Sequence, residues 1–261
     1  MDLGLAGKTV LVTGGAKGIG SGISRVFAEE NANVVVNYRS DTAQAEAYAA
    51  ELDKLGSGRC IAIQGDVSRE EDAHRVFSEA LAAFGQVDVL VNNAGMVQAA
   101  TVEIKDMALD YYETMVRNNT SSMFLMCREM VRHVLGREGG GHIVNVLSKA
   151  SKSSTSPGQT HYVTSKAGNM GFTKSLAAEV TKYGIHVNGI MPGFVRNQHS
   201  IEREKNDPEG WAEELKVICR RSPVGRIAEP VDMGYMCAML ASEKSAFAVG
   251  AIVDLTGGRL L

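Results

Sequence analysis

Short runs of apolar residues, many of them β-branched, alternate with longer amphipathic stretches along nearly the whole chain. The runs that we predict to be strands lie at residues 9–12, 33–37, 60–64, 87–91, 142–147, 186–190 and 251–254. Helical patterns lie at residues 19–30, 42–55, 69–84, 112–135 and 165–182. Several strand runs are continuously apolar, as expected where both faces of a sheet are covered. The alternation therefore predicts an α/β fold with a doubly wound parallel sheet of about seven strands and helices on both faces.

The chain has 261 residues, of which 44% are hydrophobic and 22% charged, so it can build one large core. We find no repeat and no linker that would divide it, and we expect a single domain over residues 1–261. One long segment, at about residues 193–226, breaks the alternation with a charged helical pattern around Trp211. Long segments between regular elements are often lids or binding loops. We therefore expect this segment to cover a substrate.

The charge and cysteine content narrow the class of protein. A net charge of −3 gives no general attraction to nucleic acids or anionic membranes. The four cysteines lie far apart, with no metal-ligand spacing, which is typical of reduced thiols in a cytosolic protein. No apolar run is long enough to span a bilayer, and the first residues do not resemble a signal peptide. We expect a cytoplasmic protein with no metal, no nucleic-acid partner and no membrane association.

A glycine-rich turn follows the first strand. Its glycines, Gly14, Gly18 and Gly20, have the spacing Gly-x-x-x-Gly-x-Gly, and Lys17 and Ile19 lie between them. Glycines allow the backbone to turn sharply and to approach a pyrophosphate, whose charge is favoured at the N-terminus of the following helix. By itself such a turn is also compatible with a tight connection. Its position between a strand and a helix favours a Rossmann-type dinucleotide site.

The second strand bears on the choice of cofactor. An NAD site commonly has an acidic residue at the end of this strand, where it binds the ribose 2′-hydroxyl. Here Arg39 is found near that end, and no acid precedes it at the tip. Arg39 and Lys17 together could pair with a 2′-phosphate, which favours NADP(H). Each could also be an ordinary surface cation, and Arg39 could stack on adenine, so NAD(H) stays open.

Tyr162 and Lys166 have a spacing that brings i and i+4 side chains to one face of a helix. A free tyrosine has a pKa of about 10 and seldom ionises at neutral pH. A cation about 4 Å away contributes roughly 4 kcal/mol at an effective dielectric constant of about 20, before desolvation opposes it. We therefore expect Lys166 to lower the pKa of Tyr162 and to make the phenol an acid–base group.

Further polar residues come where the predicted strands end or in the adjoining helices. They are Asn92, Asn93, Ala94 and Gly95 after the fourth strand, Asn119 in a helical stretch, Ser148 after the fifth strand, and Pro192 with Gly193 after the sixth. Open α/β sheets bind ligands at this edge. With Tyr162 and Lys166, this set resembles the short-chain dehydrogenase/reductase family, in the same order and from Gly14 to Gly258.

The resemblance implies catalytic roles for four residues. Tyr162 would donate a proton in reduction and accept it in oxidation, and Lys166 would lower its pKa and hold the nicotinamide ribose. Ser148 would hydrogen-bond the substrate oxygen, although Ser151, Ser153 and Ser154 are nearby alternatives in the sequence. Asn119 would anchor a water that continues a proton relay. The activity implied is hydride transfer between NADP(H) and a carbonyl or secondary alcohol.

The resemblance also implies cofactor contacts. Asp66 and Val67 match the adenine contact, although Asp66 could instead cap the turn that follows it. Asn92, together with Ala94 and Gly95, matches a backbone scaffold beside the cofactor. The remaining cofactor positions are Gly14, Lys17, Gly18, Ile19, Gly20, Arg39, Tyr162, Lys166, Pro192, Gly193 and Val195.

The substrate stays open at this level. Residues 35–40 resemble those of bacterial glucose-dehydrogenase-like and 3-oxoacyl-carrier-protein-reductase-like members. A 3-oxoacyl thioester, a sugar or polyol, and a hydroxysteroid are the alternatives, and an NADP(H)-binding redox sensor is the alternative outside catalysis. Asn197 departs from the family, many of whose members have threonine there. The long helices at 112–135 and 165–182 resemble those that pair in the homotetramers of this family, so we expect a homotetramer. Their apolar residues could alternatively be buried within the monomer.

Overall fold

The computed structural model describes residues 1–96, 101–153 and 157–260. Seven strands within them form one parallel sheet, in the order β3-β2-β1-β4-β5-β6-β7. The strands are β1 (Thr9–Val12), β2 (Asn33–Tyr38), β3 (Cys60–Gln64), β4 (Val89–Asn92), β5 (Gly141–Val146), β6 (Ile185–Pro192) and β7 (Ile252–Leu255). The predicted doubly wound sheet is confirmed. The strand order reverses between β1 and β4, and ligands bind beside such a switch point in open α/β sheets.

The described residues also form nine α-helices. These are α1 (Gly18–Glu29), α2 (Thr42–Leu52), α3 (Glu70–Phe84), α4 (Leu109–Val116), α5 (Ser122–Leu135), α6 (Thr160–Val180), α7 (Gln198–Asn206), α8 (Pro208–Arg220) and α9 (Pro230–Leu240). The stretch at 112–135, which we predict as one helix, is interrupted by a π-helical turn at Arg117–Ser121. No helix in the described ranges is long and apolar enough to cross a lipid bilayer.

Buried side chains lie on both faces of the sheet. In β1, Val10 and Val12 pack into one core cluster, with residues of α1 and α9. Leu11, between them, packs into a second cluster with residues of α3 and α5. Successive side chains of a strand point to opposite faces, so a sheet covered on both sides needs a continuously apolar strand. This explains why the strand runs in the sequence do not alternate with polar residues.

The segment at 193–226 contains α7 and α8. Asn197 caps α7 by accepting a hydrogen bond from Ser200 N at 3.0 Å, and Asp207 caps α8 by accepting one from Gly210 N at 3.0 Å. Asparagine and aspartate are favoured caps because their side-chain oxygens satisfy free N–H groups of the first turn. Trp211, in α8, is only 4% exposed, and its ring lies 6.4 Å from that of Phe194. An aromatic contact thus joins α8 to the residues that follow β6.

Candidate active site

The sequence-predicted site residues gather where four neighbouring strands end. Gly14 follows β1, Gly95 follows β4, Ser148 follows β5 and Gly193 follows β6. These strands are adjacent in the order β1-β4-β5-β6, and all are parallel. Their carboxyl ends therefore form one continuous edge, at and beside the point where the strand order reverses.

The glycine-rich turn has a backbone that larger residues would not adopt. Gly14 and Gly18 have φ angles of 62° and 54°, in the left-handed region. A Cβ atom on Gly20 would overlap the carbonyl oxygen of Gly14, whereas one on Gly18 would meet no atom within 4 Å. Gly18 thus leaves an open space at the start of α1, where Ile19 packs against the core. This cradle fits a pyrophosphate at a helix N-terminus.

Hydrogen bonds from neighbouring strands fix the turn in place. Asn93 Nδ2 donates to the carbonyl oxygens of Thr13 and Gly14, at 3.0 Å each. Thr13 Oγ1 accepts from the backbone N–H groups of Asn93 (3.0 Å) and Ala94 (2.9 Å). Buried Asn37 Oδ1 accepts from Gly14 N at 3.4 Å. Neither Thr13 nor Asn37 is among the predicted site residues, although an asparagine within an apolar strand is a signal for a structural role.

The two cations that we associate with a 2′-phosphate lie at this end of the cleft. Lys17 immediately precedes α1, and Arg39 immediately follows β2. Both are exposed. Neither side chain forms an ion pair with an acidic residue in the part of the chain that the structure describes. Both are therefore available to an anionic group, which is also true of many surface cations.

Three residues of the expected cofactor set have other contacts. Asn92 Nδ2 donates to Asn145 Oδ1 at 2.9 Å, and this buried side chain ties β4 to β5. Asp66 Oδ1 accepts from the backbone N–H and hydroxyl of Ser68, so the carboxylate caps the turn after β3. Val67 is 4% exposed and packs into the core. The side chains of Asn92 and Val67 thus stabilise the strand ends and the core beneath the site.

Asn119 lies in the middle of the π-helical turn between α4 and α5. Its Oδ1 accepts from Met96 N at 2.6 Å, and its Nδ2 donates to Ser165 Oγ in α6 at 3.0 Å. Its carbonyl oxygen accepts from Asn169 Nδ2 at 2.9 Å. Such a turn shifts backbone hydrogen bonds out of the α-helical pattern and is frequent at functional sites. Asn119 therefore connects the loop after β4 with α6.

Tyr162 and Lys166 lie one turn apart on α6, as the spacing predicts. The Ser148 side chain, directly after β5, neighbours the Tyr162 hydroxyl closely enough to influence its pKa. Lys166 is 7% exposed, and its Nζ donates to Val146 O at 3.2 Å. A Cβ atom on Gly95 would lie 3.7 Å from this Nζ and 2.7 Å from Asn119 Oδ1. The structure therefore brings Ser148, Tyr162, Lys166 and Asn119 to one place, next to Gly95.

The pKa values of these groups reflect burial. Burial raises the pKa of Tyr162, and the neighbouring Ser148 hydroxyl lowers it in part. Burial lowers the pKa of Lys166 to about 8. The expectation that the pKa of Tyr162 is lowered is not met. Desolvation of the phenol is the largest cause and raises its pKa, and the Lys166 ammonium group is directed to Val146 O instead.

The residues after β6 shape the opposite side of the cleft. Pro192 ends β6, and a Cβ atom on Gly193 would lie 2.8 Å from the Cα of Thr256. Val195 is 5% exposed and pairs with Ala228 in an isolated bridge. Gly193 thus allows the strand end to lie directly against the turn that follows β7.

Comparison with known proteins adds to this geometry. A family model described as "short chain dehydrogenase" matches residues 8–208, which include the glycine-rich turn, Asn119, Ser148, Tyr162 and Lys166. The chain belongs to the short-chain dehydrogenase family. It is accordingly an oxidoreductase of the NAD(P)-dependent class that acts on alcohol and carbonyl groups.

Several related proteins align with nearly the whole length of this short-chain dehydrogenase. It is 36% identical to 3beta-hydroxysteroid dehydrogenase 1 of Eggerthella lenta, over 98% of this chain and 95% of the relative. It is 33% identical to glucose 1-dehydrogenase 2 of Bacillus subtilis, over 98% and 96%. The solved structure of L-sorbose reductase from Gluconobacter frateurii, complexed with NADPH and L-sorbose, superimposes with a TM-score of 0.91 at 29% identity, covering 100% and 99%.

Asn197 makes a second contact within the segment at 193–226. Besides capping α7, its Nδ2 lies 3.4 Å from Val195 O. Both functional atoms of the amide are therefore used within this segment. In the described ranges, no group of three or more His, Cys, Asp or Glu side chains could hold a metal ion.

Proposed function

We propose that the protein transfers a hydride between NADP(H) and a carbonyl or secondary alcohol, with Tyr162 as the general acid and base. The observation that carries the proposal is the proximity of the Ser148 and Tyr162 side chains, with the Lys166 ammonium group one helical turn away. Hydroxyl groups from two elements thus meet at the edge where α/β sheets bind ligands. A reacting carbonyl oxygen between them would find two O–H donors.

The chemistry of the protein groups follows from their positions. In reduction, the Tyr162 hydroxyl donates its proton to the developing alkoxide, and the Ser148 hydroxyl donates a hydrogen bond to the same oxygen. The buried Lys166 cation, one turn away, would offset part of the burial cost of the phenolate that remains. In oxidation, the phenolate accepts the proton of the alcohol. Asn119 holds α6 against the loop after β4, and its carbonyl oxygen retains a second lone pair for a water in the relay.

The chain's glycine-rich turn and nearby cations fit a dinucleotide with a 2′-phosphate. When bound, the nicotinamide cofactor supplies the hydride in reduction and accepts it in oxidation. The open space beside Gly18, at the N-terminus of α1, would hold the pyrophosphate. Lys17 and Arg39, free of ion pairs with the acids described, would bind the 2′-phosphate and favour NADP(H) over NAD(H). The NADPH in the L-sorbose reductase structure supports this preference.

We propose that α7 and α8 form a lid over the substrate. The relatives named above act on a steroid and on sugars, so the shared site accepts carbonyl groups in different frameworks. Substrate choice then rests with residues outside the Ser148–Tyr162 pair. The segment at 193–226 supplies such residues, and Phe194 and Trp211 give it an apolar inner side.

Two further proposals concern the oligomeric state of the protein and its location in the cell. Phe124 on α5 is 44% exposed, its ring lies 6.5 Å from Phe172 on α6, and Phe247 near β7 is fully exposed. Large exposed apolar side chains mark interfaces, so we propose a homotetramer, with a sedimentation mass four times that of the chain. The four cysteines are free, which suits a cytoplasmic location.

The experiment that tests the function follows NADPH and NADH oxidation by the purified protein. The carbonyl panel consists of 3-oxoacyl thioesters, sugar lactones and ketoses, ketosteroids and small diketones. The matching alcohols are tested with the oxidised cofactors. We expect turnover of at least one class, faster with NADPH. Tight cofactor binding without turnover across the panel would favour a redox sensor instead.

A further inference from the structure

Asn169 is a buried polar residue of α6, three positions after Lys166, and its side chain is 0% exposed. Its Nδ2 donates to the carbonyl oxygen of Asn119, in the π-helical turn, at 2.9 Å. Its Oδ1 is buried as well, and it has no hydrogen-bond partner among the residues that the structure describes. A buried acceptor without a partner destabilises a fold. The amide of Asn169 therefore lowers stability at one atom and binds the π-helical turn at the other.

Side chains donate to three carbonyl oxygens in or beside the π-helical turn. Asn118 Nδ2 donates to Thr114 O at 2.8 Å, and the Ser122 hydroxyl donates to Asn118 O at 2.6 Å. Each of these two bonds joins residues four apart in the same helical stretch. The third bond, from Asn169 to Asn119 O, comes from another helix. It therefore fixes the turn relative to α6 and not only within its own helix.

The α6 helix binds Asn119 at both its side chain and its backbone. Ser165 Oγ accepts from Asn119 Nδ2 at 3.0 Å and donates to Tyr162 O at 2.8 Å. Asn169 lies one helical turn further along and binds the carbonyl oxygen. Residues four apart lie on the same face of a helix. Two side chains on one face of α6 thus set the position of Asn119.

Buried polar groups tie α6 to the sheet beside Asn169. Thr173 Oγ1 donates to the backbone oxygen of Asn169 at 2.7 Å and accepts from Asn145 Nδ2, in β5, at 2.9 Å. Asn145 Oδ1 in turn accepts from Asn92 Nδ2, in β4, at 2.9 Å. All four residues are at most 4% exposed. Hydrogen-bonded networks in the interior hold their members rigidly, so Asn169 has a fixed position from which to bind the turn.

The position of Asn119 affects the catalytic groups because its side chain borders the same space as the Lys166 ammonium group. A Cβ atom on Gly95 would lie 2.7 Å from Asn119 Oδ1 and 3.7 Å from Lys166 Nζ. A π-helical turn adds one residue to a helix, and each residue of an α-helix turns it by about 100°. Loss of the turn would therefore rotate the residues on one of its sides by about that angle, and Asn119 would be displaced from Lys166.

We propose that Asn169 is a positioning residue for proton transfer. By binding the carbonyl oxygen of Asn119 it keeps the π-helical turn in place, and it thereby keeps Asn119 beside Lys166 and Tyr162. The proposal rests on the proposed function, because it takes Tyr162 to be the proton donor. Asn169 is buried and acts through Asn119. An apolar residue in its place should therefore preserve the fold and slow the reaction.

Asn169→Leu tests the proposal, because leucine has a similar size and no hydrogen-bond donor. We expect kcat for the best carbonyl substrate to fall by about tenfold or more, with its KM almost unchanged. The urea midpoint of unfolding should not fall, because the unpaired Oδ1 is removed together with the amide. Asn188→Leu is the matched control: Asn188, in β6, is also 0% exposed, but it accepts from Ala251 N and donates to Ala248 O. This control should lower the urea midpoint and keep the wild-type kcat.

Hydrogen exchange separates this proposal from the proposed function, because it needs no turnover. The exchange of the backbone amides at residues 117–121 is followed by NMR in protein saturated with NADP⁺. We expect faster exchange in Asn169→Leu and wild-type exchange in Asn188→Leu. Faster exchange in Asn169→Leu, with no carbonyl turnover by the wild type, would refute the proposed function and keep Asn169 as the residue that holds the turn. Wild-type exchange or wild-type kcat in Asn169→Leu, or a fall of kcat and urea midpoint together, would refute the positioning role.

Discussion

The ammonium group of Lys166 donates to the carbonyl oxygen of Val146 at 3.2 Å, in an environment that leaves the side chain 7% exposed. Burial strongly disfavours the protonated form of the ammonium group that makes this contact with the end of β5. Burial lowers its pKa to about 8, from an ordinary value of 10.5. The site thus contains, next to Tyr162, a buried charge that lowers the stability of the fold. Such a group is typical of residues retained for function rather than for stability.

Lys166→Met should therefore stabilise the protein while it removes activity. The lowered pKa corresponds to a cost of about 3 kcal/mol at neutral pH, and the lost hydrogen bond offsets about 1 kcal/mol of it. Between pH 8 and 10.5 the unfolded wild-type chain holds a proton that the native state has lost, so its stability rises with pH. In urea unfolding at pH 7, the free energy of unfolding of the variant should exceed that of the wild type by about 2 kcal/mol. This difference should become smaller between pH 8 and 10.5.

Lys174→Met, on an exposed position of the same helix, is the control for this comparison. It removes the same side chain without relieving burial, and it should leave the free energy of unfolding within about 0.5 kcal/mol of the wild type. If Lys166→Met were the less stable protein at pH 7, the burial cost assigned to Lys166 would be wrong.

Gly95→Ala should disturb the site through Asn119. The added Cβ would lie 2.7 Å from Asn119 Oδ1, closer than such atoms approach, and that oxygen is already held by Met96 N at 2.6 Å. The amide cannot move without weakening this bond, so we expect a loss of about 1–3 kcal/mol in unfolding free energy. Steady-state kinetics should show kcat at least about tenfold lower, as expected for misplaced catalytic groups. Gly168→Ala, whose Cβ meets nothing within 4 Å, should keep wild-type kcat.

Arg39→Ala tests the cofactor preference. If Arg39 binds the 2′-phosphate, the variant should bind NADPH about tenfold or more weakly and bind NADH almost unchanged, since a charge-assisted hydrogen bond contributes about 1.5–3 kcal/mol. Fluorescence titration of both cofactors measures the two affinities. Lys54→Ala, an exposed cation after α2, should change neither. Equal losses for NADPH and NADH would indicate that Arg39 stacks on the adenine instead.

Much of the fold could be predicted because apolar runs mark buried strands directly. The predicted strands at 9–12 and 60–64 coincide with β1 and β3. The interruption of the helix at 112–135 could not be predicted. A π-helical turn adds one residue to a helix, and it changes backbone hydrogen bonds more than it changes the apolar periodicity.

The site was predictable to the extent that its residues follow strands or share a helix face. Ser148, Tyr162 and Lys166 do so, and the structure brings them together. The raised pKa of Tyr162 depends on burial by residues distant in sequence, which spacing does not reveal. The hydrogen bond from Gly14 N to Asn37 likewise joins the turn after β1 to β2, between residues 23 positions apart in the chain.

Tyr162→Phe tests the central claim most directly, because it removes one hydroxyl and keeps the ring. We expect kcat for the best carbonyl substrate to fall by about 10²–10⁴-fold, the usual contribution of a general acid, with NADPH binding retained. Tyr235→Phe, an exposed tyrosine on α9, should match the wild type in both. Turnover by Tyr162→Phe at the wild-type rate would contradict the assignment of Tyr162 as the proton donor.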